Sequence, residues 1–250
     1  MEIAARWVAT YPGLILFAIP AMAAGLVWWA GHLCDGRVCG RRLRTWGWCV
    51  AVGATVFFLL MAVLIAQNGA LVRFDHELAA ALGLSMSPSL LWLLSWFTHL
   101  GDRNLLTVIA IAMTGFLLWR RAWRLALACV IVTGGGGLLN MLMKHSFQRV
   151  RPEHVHGYVQ ESGWSFPSGH ASASMAVYGF ACYVAIWLLP ARWHRFCLVG
   201  GAILISAIGV SRVLLQVHYL SDVMAGFALS LAWLSLCLAA MSPWLHYQAK

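Results

Sequence analysis

The chain has 250 residues, of which 62% are hydrophobic and only 10% are charged, and its mean hydropathy is +0.78. A soluble domain has about 45–50% apolar and about 25% charged residues, so this composition predicts a protein built within a lipid bilayer. The net charge of +9 does not indicate a nucleic-acid partner, because the basic residues fall in short clusters between apolar runs.

Seven apolar runs approach the length of about 20 residues that a membrane-spanning helix needs. They predict an all-α integral membrane protein, a helical bundle of about six to seven transmembrane helices. We interpret the first run as a retained span, because its flanks do not resemble those of a cleaved signal peptide. The predicted spans lie near 13–33, 46–66, 103–119, 123–143, 169–189, 197–216 and 222–242.

The segment 67–102 lies between the second and third predicted spans and mixes polar residues with apolar pieces too short to cross a membrane. This pattern predicts amphipathic helices lying at the membrane interface. The alternative is that 88–100 belongs to a tilted span.

The orientation of the bundle follows from Lys and Arg, which are enriched in cytoplasmic loops. The three most basic short loops alternate correctly if all are cytoplasmic: 36–44, 120–124 and 191–195. The opposite, outer face then receives the segments 67–102, 144–168 and 211–222. That face carries Lys144, Arg149, Arg151 and Arg212 against the charge rule, and an anionic ligand is one local reason for them.

The cysteines are scattered, and Cys34 and Cys39 are the only close pair. Two ligands do not make a structural zinc site, so we expect no metal there. The run "GGGG" at 134–137 predicts close contact between helices, as small residues allow in membrane bundles.

The first polar cluster is "KHSFQRVRP", which starts at Lys144 and follows the fourth predicted span. Lys144 and Arg151 are seven residues apart, so on a helix they would share one face. Pro152 would then end or bend that helix. Taken alone, the cluster is typical of a snorkelling basic collar.

The second cluster is "PSGH", at 167–170, which opens the fifth predicted span. Ser168 is a natural N-cap, and the free N–H groups of a first helical turn form an anion site. Gly169 lets a ligand approach the backbone closely. His170 follows in the first turn, although alone it is an incidental histidine on a capped helix.

The third cluster is "SRVLLQVHYLSD", at 211–222. His218 and Asp222 are four residues apart, so on a helix Asp222 could hold one imidazole nitrogen and leave the other free. Arg212 precedes His218 by six residues, a spacing that a helix end or turn must adjust. Alone, the cluster is typical of a surface ion pair.

Together the clusters provide three cations, a helix N-terminus, two histidines and a carboxylate at one end of the bundle. Phosphoryl transfer needs this combination, since it requires charge neutralisation, a nucleophile and an acid for the leaving group.

The clusters resemble the three motifs of the type-2 phosphatidic acid phosphatase superfamily, whose core is shared by vanadium haloperoxidases and bacterial acid phosphatases. Every fixed position is filled, in order. The matching residues are Lys144-x6-Arg151-Pro152, Pro167-Ser168-Gly169-His170 and Ser211-Arg212-x5-His218-x3-Asp222.

The resemblance implies a catalytic role for three of these residues. His218 would attack phosphorus to give a phosphohistidine, and Asp222 would orient it. His170 would protonate the leaving oxygen and then activate water. The phosphate would be held by Lys144, Arg151, Ser168, Gly169 and Arg212, without a metal or another cofactor.

The expected protein is a phosphatase of a lipid phosphate or pyrophosphate in a bacterial inner (plasma) membrane, with its site on the outer side. Its partners would be the lipid substrate and membrane lipids, and nothing indicates its oligomeric state. We expect 1–45 to form an extra N-terminal transmembrane helix with a basic loop. The phosphatase domain would span 46–250, with the motifs in 144–222.

The substrate is left open by the sequence. The resemblance favours undecaprenyl pyrophosphate as substrate, since members of the family often act on it. The alternative is a phosphatase of broad specificity that acts on phosphatidic acid, phosphatidylglycerol phosphate and lipid A. The segment "GYVQESGW" offers Tyr158, Glu161 and Trp164 as head-group or interface contacts.

Rival functions remain. A phosphotransferase would differ only in the acceptor of the phosphoryl group. An anion transporter would need polar residues deep within spans, and few are present. A catalytically dead relative would lack a motif histidine or aspartate, whereas vanadate-dependent oxidases of this core are soluble.

Overall fold

The structure, a computed structural model, describes residues 10–33, 40–153, 157–159 and 161–245. Its regular secondary structure is helical, and these ranges contain no β-strand. The cysteine pair, Cys34 and Cys39, lies outside the described residues. In chain order the helices are α1 (Pro12–Leu33), α2 (Gly40–Ala66), α3 (Ala70–Ser85), α4 (Pro88–Phe97), a 3₁₀ turn (Thr98–Gly101), α5 (Arg103–Trp119), α6 (Trp123–Phe147), α7 (Gly169–Leu188), α8 (Ala191–Leu214) and α9 (Leu220–Leu245).

Six segments of the described chain are long and apolar enough to cross a membrane. The predicted fold class, an all-α membrane bundle, is therefore confirmed. The apolar part of α1, Ile15–Ala30, is shorter than these six segments. The six are Arg44–Ala66, Pro88–Trp119, Trp123–Phe147, Gly169–Leu188, Ala191–Leu214 and Leu220–Leu245.

Helix α3 is the first of the helices in the segment 67–102, and one of its faces packs against the bundle. Its buried residues, Val72, Asp75, Leu78 and Leu82, recur every three to four positions, which places them on one stripe. The leucines of this stripe join the core cluster that includes Leu214 of α8. An aspartate in the middle of such a stripe needs polar partners, because burying a carboxylate without them is costly.

Helix α4 follows and begins with Ser87 as N-cap, whose hydroxyl accepts a hydrogen bond from the backbone N–H of Leu90. Asp102 is extended at φ −64° and ψ 139°, so it separates α4 from α5. By length and composition, however, Pro88–Trp119 counts as one span. For α4, the alternative in which 88–100 belongs to a span therefore fits better than an interfacial helix.

The end of α6 differs from the prediction in a way that matters for the site. The helix ends at Phe147, because Gln148 adopts the left-handed conformation (φ 46°, ψ 37°) and its N–H donates to the carbonyl oxygen of Lys144. Pro152 therefore does not end it. Arg151 lies in the loop after α6, and the prediction that it shares a helix face with Lys144 is wrong.

The start of α8 also differs from the prediction. The basic run 191–195 was expected to be a loop, but it forms the first turns of α8, which begins at Ala191. Pro190 precedes the helix with φ −58° and ψ 149°, a conformation outside the helical range that marks the boundary.

Close packing around α9 holds the bundle together. Helix α9 lies against α2, α6, α7 and α8, and α1 lies against α8. A Cβ placed on Gly226 of α9 would lie 2.7 Å from the carbonyl oxygen of Ser168, so only glycine allows α9 to come this close to the start of α7.

The glycine run 134–137 was predicted to allow close helix contact, and two of its members do so. A Cβ on Gly135 would lie 2.6 Å from Cζ2 of Trp233, and one on Gly136 would lie 3.5 Å from Cβ of Ala176. The other two glycines of the run have nothing within 4 Å of such a Cβ.

Candidate active site

The residues of the three sequence clusters meet where α6 ends, α7 begins and the chain turns from α8 into α9. Arg212 lies in the last turn of α8, His218 in the following turn, and Asp222 in the first turn of α9. All three are buried, with exposures of 0%, 3% and 0%. The structure thus brings the predicted site residues together from distant parts of the chain.

The protonation of His218 follows from its hydrogen bonds. A guanidinium N–H of Arg151 lies 3.1 Å from Nε2 of His218. Arginine can only donate, so Nε2 must accept, and the proton of a neutral ring is on Nδ1. Nε2 therefore carries a lone pair that faces Arg151.

The other imidazole nitrogen reaches Asp222 through a serine. Nδ1 of His218 lies 3.3 Å from Oγ of Ser165, and this hydroxyl donates to Oδ2 of Asp222 over 2.5 Å. The direct distance from Nδ1 to Oδ2 is 3.7 Å, too long for a hydrogen bond. Because His218 lies before α9 begins, it does not share a helix with Asp222, and the direct contact that their spacing predicted is replaced by the Ser165 bridge.

The environment of His218 keeps its ring neutral. Burial lowers the pKa of His218 well below 6.5, and the nearby positive charges of Arg151, Arg212 and Lys144 lower it further. A neutral imidazole keeps one ring nitrogen unprotonated at neutral pH, as a nucleophile requires.

The start of α7 has the predicted N-cap. Ser168 is extended (φ −62°, ψ 121°) and its Oγ accepts from the backbone N–H of Ala171 over 3.5 Å. Its own N–H donates to the backbone oxygen of Asp222 over 3.0 Å, which ties α7 to α9. Next to it, a Cβ on Gly169 would lie 3.8 Å from Cε of Lys144, so this turn faces the end of α6.

The carboxylate of Glu161 lies among the basic side chains predicted to bind phosphate. A guanidinium N–H of Arg212 donates to its Oε1. Arg151 lies 3.9 Å from Oε2, and Nδ1 of His170 lies 3.9 Å from Oε1. A negatively charged oxygen of the protein itself therefore sits in front of three predicted site residues.

Backbone carbonyl groups of the same loop contact the cations as well. Nζ of Lys144 donates to the oxygen of Trp164 over 2.5 Å. Arg151 donates to the oxygens of Ser162 (3.2 Å) and Gly163 (3.0 Å). The segment 161–164 thus covers the cationic side of the site, and a ligand would have to replace these contacts. Of the predicted interface residues, Trp164 and Glu161 belong to this segment, whereas Tyr158 lies outside it.

Sequence reasoning did not identify Ser165 or Asp75, and it noted Arg149 as an outer-face cation without giving it a role in the site. Ser165 bridges His218 and Asp222, and Arg149 donates to Oδ1 of Asp222 over 2.6 Å. Arg149 also donates to Oδ2 of Asp75 over 2.9 Å. Burial lowers the pKa of Arg149, but the attraction of Asp222 and Asp75 outweighs it and raises that pKa. The signal for Asp75 was a lone carboxylate on an apolar helical stripe.

The arrangement combines four features that suit chemistry on a phosphate group. They are a neutral histidine whose Nε2 lone pair faces Arg151, a carboxylate linked to its other nitrogen, cations that already bind an anionic group, and a helix N-terminus.

Comparison with known proteins agrees with this chemistry. Residues 122–245 match the family model described as PAP2 superfamily. Phosphatidylglycerophosphatase B of Bacillus subtilis (strain 168) is 34% identical over 183 residues, which cover 72% of this chain and 89% of that protein. Decaprenylphosphoryl-5-phosphoribose phosphatase of Mycobacterium tuberculosis (strain ATCC 25618 / H37Rv) is 32% identical over 175 residues, covering 68% of this chain and 83% of that protein.

A solved structure resembles the fold as well. The crystal structure of a transmembrane PAP2-type phosphatidylglycerolphosphate phosphatase from Bacillus subtilis matches with a TM-score of 0.69 and 33% identity. The match covers 75% of this chain and 93% of that one. Fold, site and relatives together define an integral membrane phosphatase. The chain belongs to the PAP2 superfamily, as the three motifs predicted.

Proposed function

We propose that the protein hydrolyses a lipid phosphate or pyrophosphate through a phosphohistidine formed at Nε2 of His218. The observation that carries this proposal is the position of the Glu161 carboxylate, which contacts Arg212 and lies within 4 Å of Arg151 and His170. A site that binds one anionic group of the chain in this way has the charge and shape to bind a phosphate in its place.

In the first step, the Nε2 lone pair of His218 attacks phosphorus, and the bond from phosphorus to the leaving oxygen breaks. A protonated His170 gives its proton to that oxygen. The phosphorylated ring becomes positively charged, and its Nδ1–H is held by Ser165 and, through it, by Asp222. Arg151, Arg212 and Lys144 neutralise the charge on the phosphoryl oxygens.

In the second step, water attacks phosphorus and gives a proton to His170. The bond from phosphorus to nitrogen breaks, its electron pair returns to Nε2, and inorganic phosphate leaves. The N–H groups at the start of α7, next to Ser168 and Gly169, are proposed to bind phosphoryl oxygens in both steps. In this proposal, cationic side chains supply the neutralisation that metal ions supply in other phosphoryl-transfer enzymes.

The substrate class is a lipid with a phosphorylated head group, since the site lies at the ends of membrane-spanning helices. The sequence-based preference for undecaprenyl pyrophosphate stays a prediction. Phosphatidylglycerol phosphate stands beside it, because the relative that aligns over 89% of its own length is named a phosphatidylglycerophosphatase. We propose that 46–250 forms the phosphatase domain and 1–45 an addition to it.

The proposed site faces the periplasmic or extracellular side of a bacterial inner (plasma) membrane. The support is the distribution of basic residues, because the runs at 120–124 and 191–195 lie at the opposite ends of their helices from the site.

Phosphate release by the purified protein in detergent with EDTA tests the proposal. Undecaprenyl pyrophosphate, phosphatidylglycerol phosphate, phosphatidic acid and lipid A are compared in parallel. We expect release that survives EDTA and is lost in His218→Asn. His194→Asn is the matched control, because His194 lies in the first turns of α8, at the other end of the bundle.

A second readout tests the covalent step. Brief incubation with substrate labelled in its phosphate should give a labelled protein whose label is lost in acid and kept in base, as a phosphohistidine requires. Undiminished release in His218→Asn would refute the nucleophile assignment. Transfer of the label to an added lipid or sugar would instead identify a phosphotransferase.

A further inference from the structure

A buried carboxylate from outside the motif region completes the site. Asp75 of α3 is 1% exposed, and it lies outside the stretch 122–245 that matches the family model. It occupies the site-facing stripe of α3, where its neighbours along the stripe are the apolar residues Val72 and Leu78. Burying a carboxylate at such a position lowers the stability of the fold unless the carboxylate is paired. The partners of Asp75 therefore indicate its role.

The partners of Asp75 lead to the proposed catalytic pair. Oδ2 of Asp75 accepts from Arg149 over 2.9 Å, and the same guanidinium donates to Oδ1 of Asp222 over 2.6 Å. Arg149 thus bridges two buried carboxylates. The Oδ1 of Asp222 is occupied by this contact, which leaves its Oδ2 to accept from Ser165. The chain of contacts therefore runs from Asp75 through Arg149 and Asp222 to Ser165 and then to His218.

Asp75 also binds the start of α9 directly. Its Oδ1 accepts from the backbone N–H of Ser221 over 3.2 Å, and its Oδ2 accepts from the Ser221 hydroxyl. The first N–H groups of a helix lack partners within the helix, so Asp75 caps α9 from a different helix. Asp222 adds a second cap, because its Oδ2 accepts from the backbone N–H of Tyr219 over 3.0 Å.

The ring of Tyr219 adds to the contacts between these elements. The guanidinium of Arg149 lies over this ring at 4.2 Å from its centre. The hydroxyl of Tyr219 lies 3.2 Å from Nδ1 of His76, the residue after Asp75 on α3. Helix α3 therefore contacts the residues that directly follow His218, Tyr219 and Ser221, through two adjacent side chains.

We propose that Asp75 and Arg149 are positioning residues for the reaction. They fix the rotation of the Asp222 carboxylate and the start of α9, and through Ser165 they set the orientation of the His218 ring. Neither residue contacts the position proposed for the phosphate, which is marked by Glu161. They should therefore affect the chemical step and leave substrate binding unchanged. This proposal rests on the proposed function of the site.

The test compares Asp75→Asn with Glu77→Gln in the full-length protein in detergent. Both changes remove one negative charge from α3, but Glu77 is two positions away and thus on another face of the helix. Asp75→Asn keeps the shape of the side chain and loses the ion pair with Arg149. We expect its kcat to fall about 10-fold to 100-fold, as is typical when a supporting partner of a functional group is removed. Glu77→Gln should keep the wild-type kcat.

Measurements of binding distinguish a positioning role from a merely structural one, because only a positioning role lowers kcat and leaves binding unchanged. KM and the inhibition constant of inorganic phosphate should stay within about twofold of wild type in Asp75→Asn. The reason is that the contacts made equally to the bound substrate and to the transition state are unaffected. The fraction of phosphorylated enzyme after brief incubation should fall together with kcat. A raised KM with an unchanged kcat, or an unchanged kcat alone, would overturn the proposal.

Arg149→Lys provides a second variant in case Asp75→Asn does not fold. It keeps the charge, but an ammonium cannot make the forked contact with two carboxylates. Its kcat should fall by a similar factor, and Asp75→Asn combined with Arg149→Lys should lose little more than either alone, because one chain of contacts is broken in each. Losses that multiply in the double variant would refute a shared role.

The outcome for the proposed function is separate. If His218→Asn releases phosphate like wild type, the proposed function fails, whatever Asp75→Asn does. If His218→Asn is inactive and Asp75→Asn keeps the wild-type kcat, only the positioning role is wrong.

Discussion

The guanidinium of Arg151 donates a hydrogen bond to Nε2 of His218 over 3.1 Å and a second one to the backbone oxygen of Val217 over 2.8 Å. The first contact covers the nitrogen that is proposed to attack phosphorus. The second contact fixes Arg151 to the turn that carries His218. An incoming phosphate oxygen would therefore take over an N–H that now points to Nε2, and so free the lone pair.

Arg151→Lys should lower kcat/KM about 100-fold, because an ammonium cannot hold Val217, the loop and a phosphate oxygen in one plane. The measurement is steady-state phosphate release with the best lipid substrate. Arg103→Lys is the control, since Arg103 is an exposed arginine at the start of α5. Equal kcat/KM values in the two variants would contradict the proposed role of the planar Arg151 guanidinium.

Ser165→Ala removes the bridge between His218 and Asp222. A hydrogen bond to a charged group is worth roughly 1.5–3 kcal/mol, so kcat should fall about 10-fold to 100-fold. Single-turnover kinetics would locate the loss in formation of the phosphoenzyme. Ser146→Ala serves as the control, because the hydroxyl of Ser146 donates to the Leu142 carbonyl oxygen of its own helix and not to a residue of the site. A wild-type rate in Ser165→Ala would mean that Asp222 acts on His218 without the serine.

Glu161→Gln should strengthen the binding of phosphate. The carboxylate competes with phosphate for the same cations. The smaller the fraction of protein in which these cations are free of the carboxylate, the weaker the apparent affinity for phosphate. The inhibition constant of inorganic phosphate should therefore decrease about threefold to tenfold. Glu153→Gln, at an exposed position before the same loop, should leave the constant unchanged. Weaker inhibition in Glu161→Gln would show that the carboxylate helps to bind the ligand.

The stability of the protein should fall as the pH drops below about 6.5. The folded-state pKa of His218 is well below its unfolded value because of burial and nearby cations. Below the unfolded pKa, the unfolded chain binds a proton that the folded chain does not, so acid favours unfolding. This loss is on the order of 1 kcal/mol for each pH unit below 6.5.

Thermal unfolding in detergent between pH 7.5 and pH 5.5 measures this effect. The variant His218→Asn should show a smaller decrease in Tm over the same range than the wild type. His99→Asn should behave like wild type, because the His99 side chain is 64% exposed. An identical pH dependence in wild type and His218→Asn would mean that other groups cause the acid sensitivity.

Gly226→Ala should displace the start of α7 from α9. The added methyl group would lie 2.7 Å from the oxygen of Ser168 and 3.2 Å from Cβ of Ala171, so one helix must shift. Overpacking of this kind costs about 1–3 kcal/mol, and kcat should fall together with Tm. In Gly200→Ala, where nothing lies within 4 Å of the new methyl group, neither value should fall.

Sequence alone was sufficient for the parts of the site that are local. Hydropathy predicts most of the spans to within a few residues, although the third begins at Pro88 and not near 103. Ser168 could be predicted as an N-cap because the N–H that it accepts belongs to Ala171, three residues further on. The spacing of His218 and Asp222 was less informative, since the chain turns before α9 begins and Ser165 enters from another loop. Asp75 is brought to the site by tertiary packing, which no local pattern records, whereas Glu161 lies in the segment that the sequence offered for head-group contacts.

The joining of Ser168 to Asp222, and of Arg149 to Asp75 and Asp222, has a consequence for biogenesis. A ribosome makes α6 and α7 before α9, so a nascent chain displays Lys144 and Arg149 while Asp222 is still unsynthesised. His218 follows the end of α8, and Asp222 is made only with the first turn of α9, so the bridge through Ser165 can form only once this part of the chain has been synthesised.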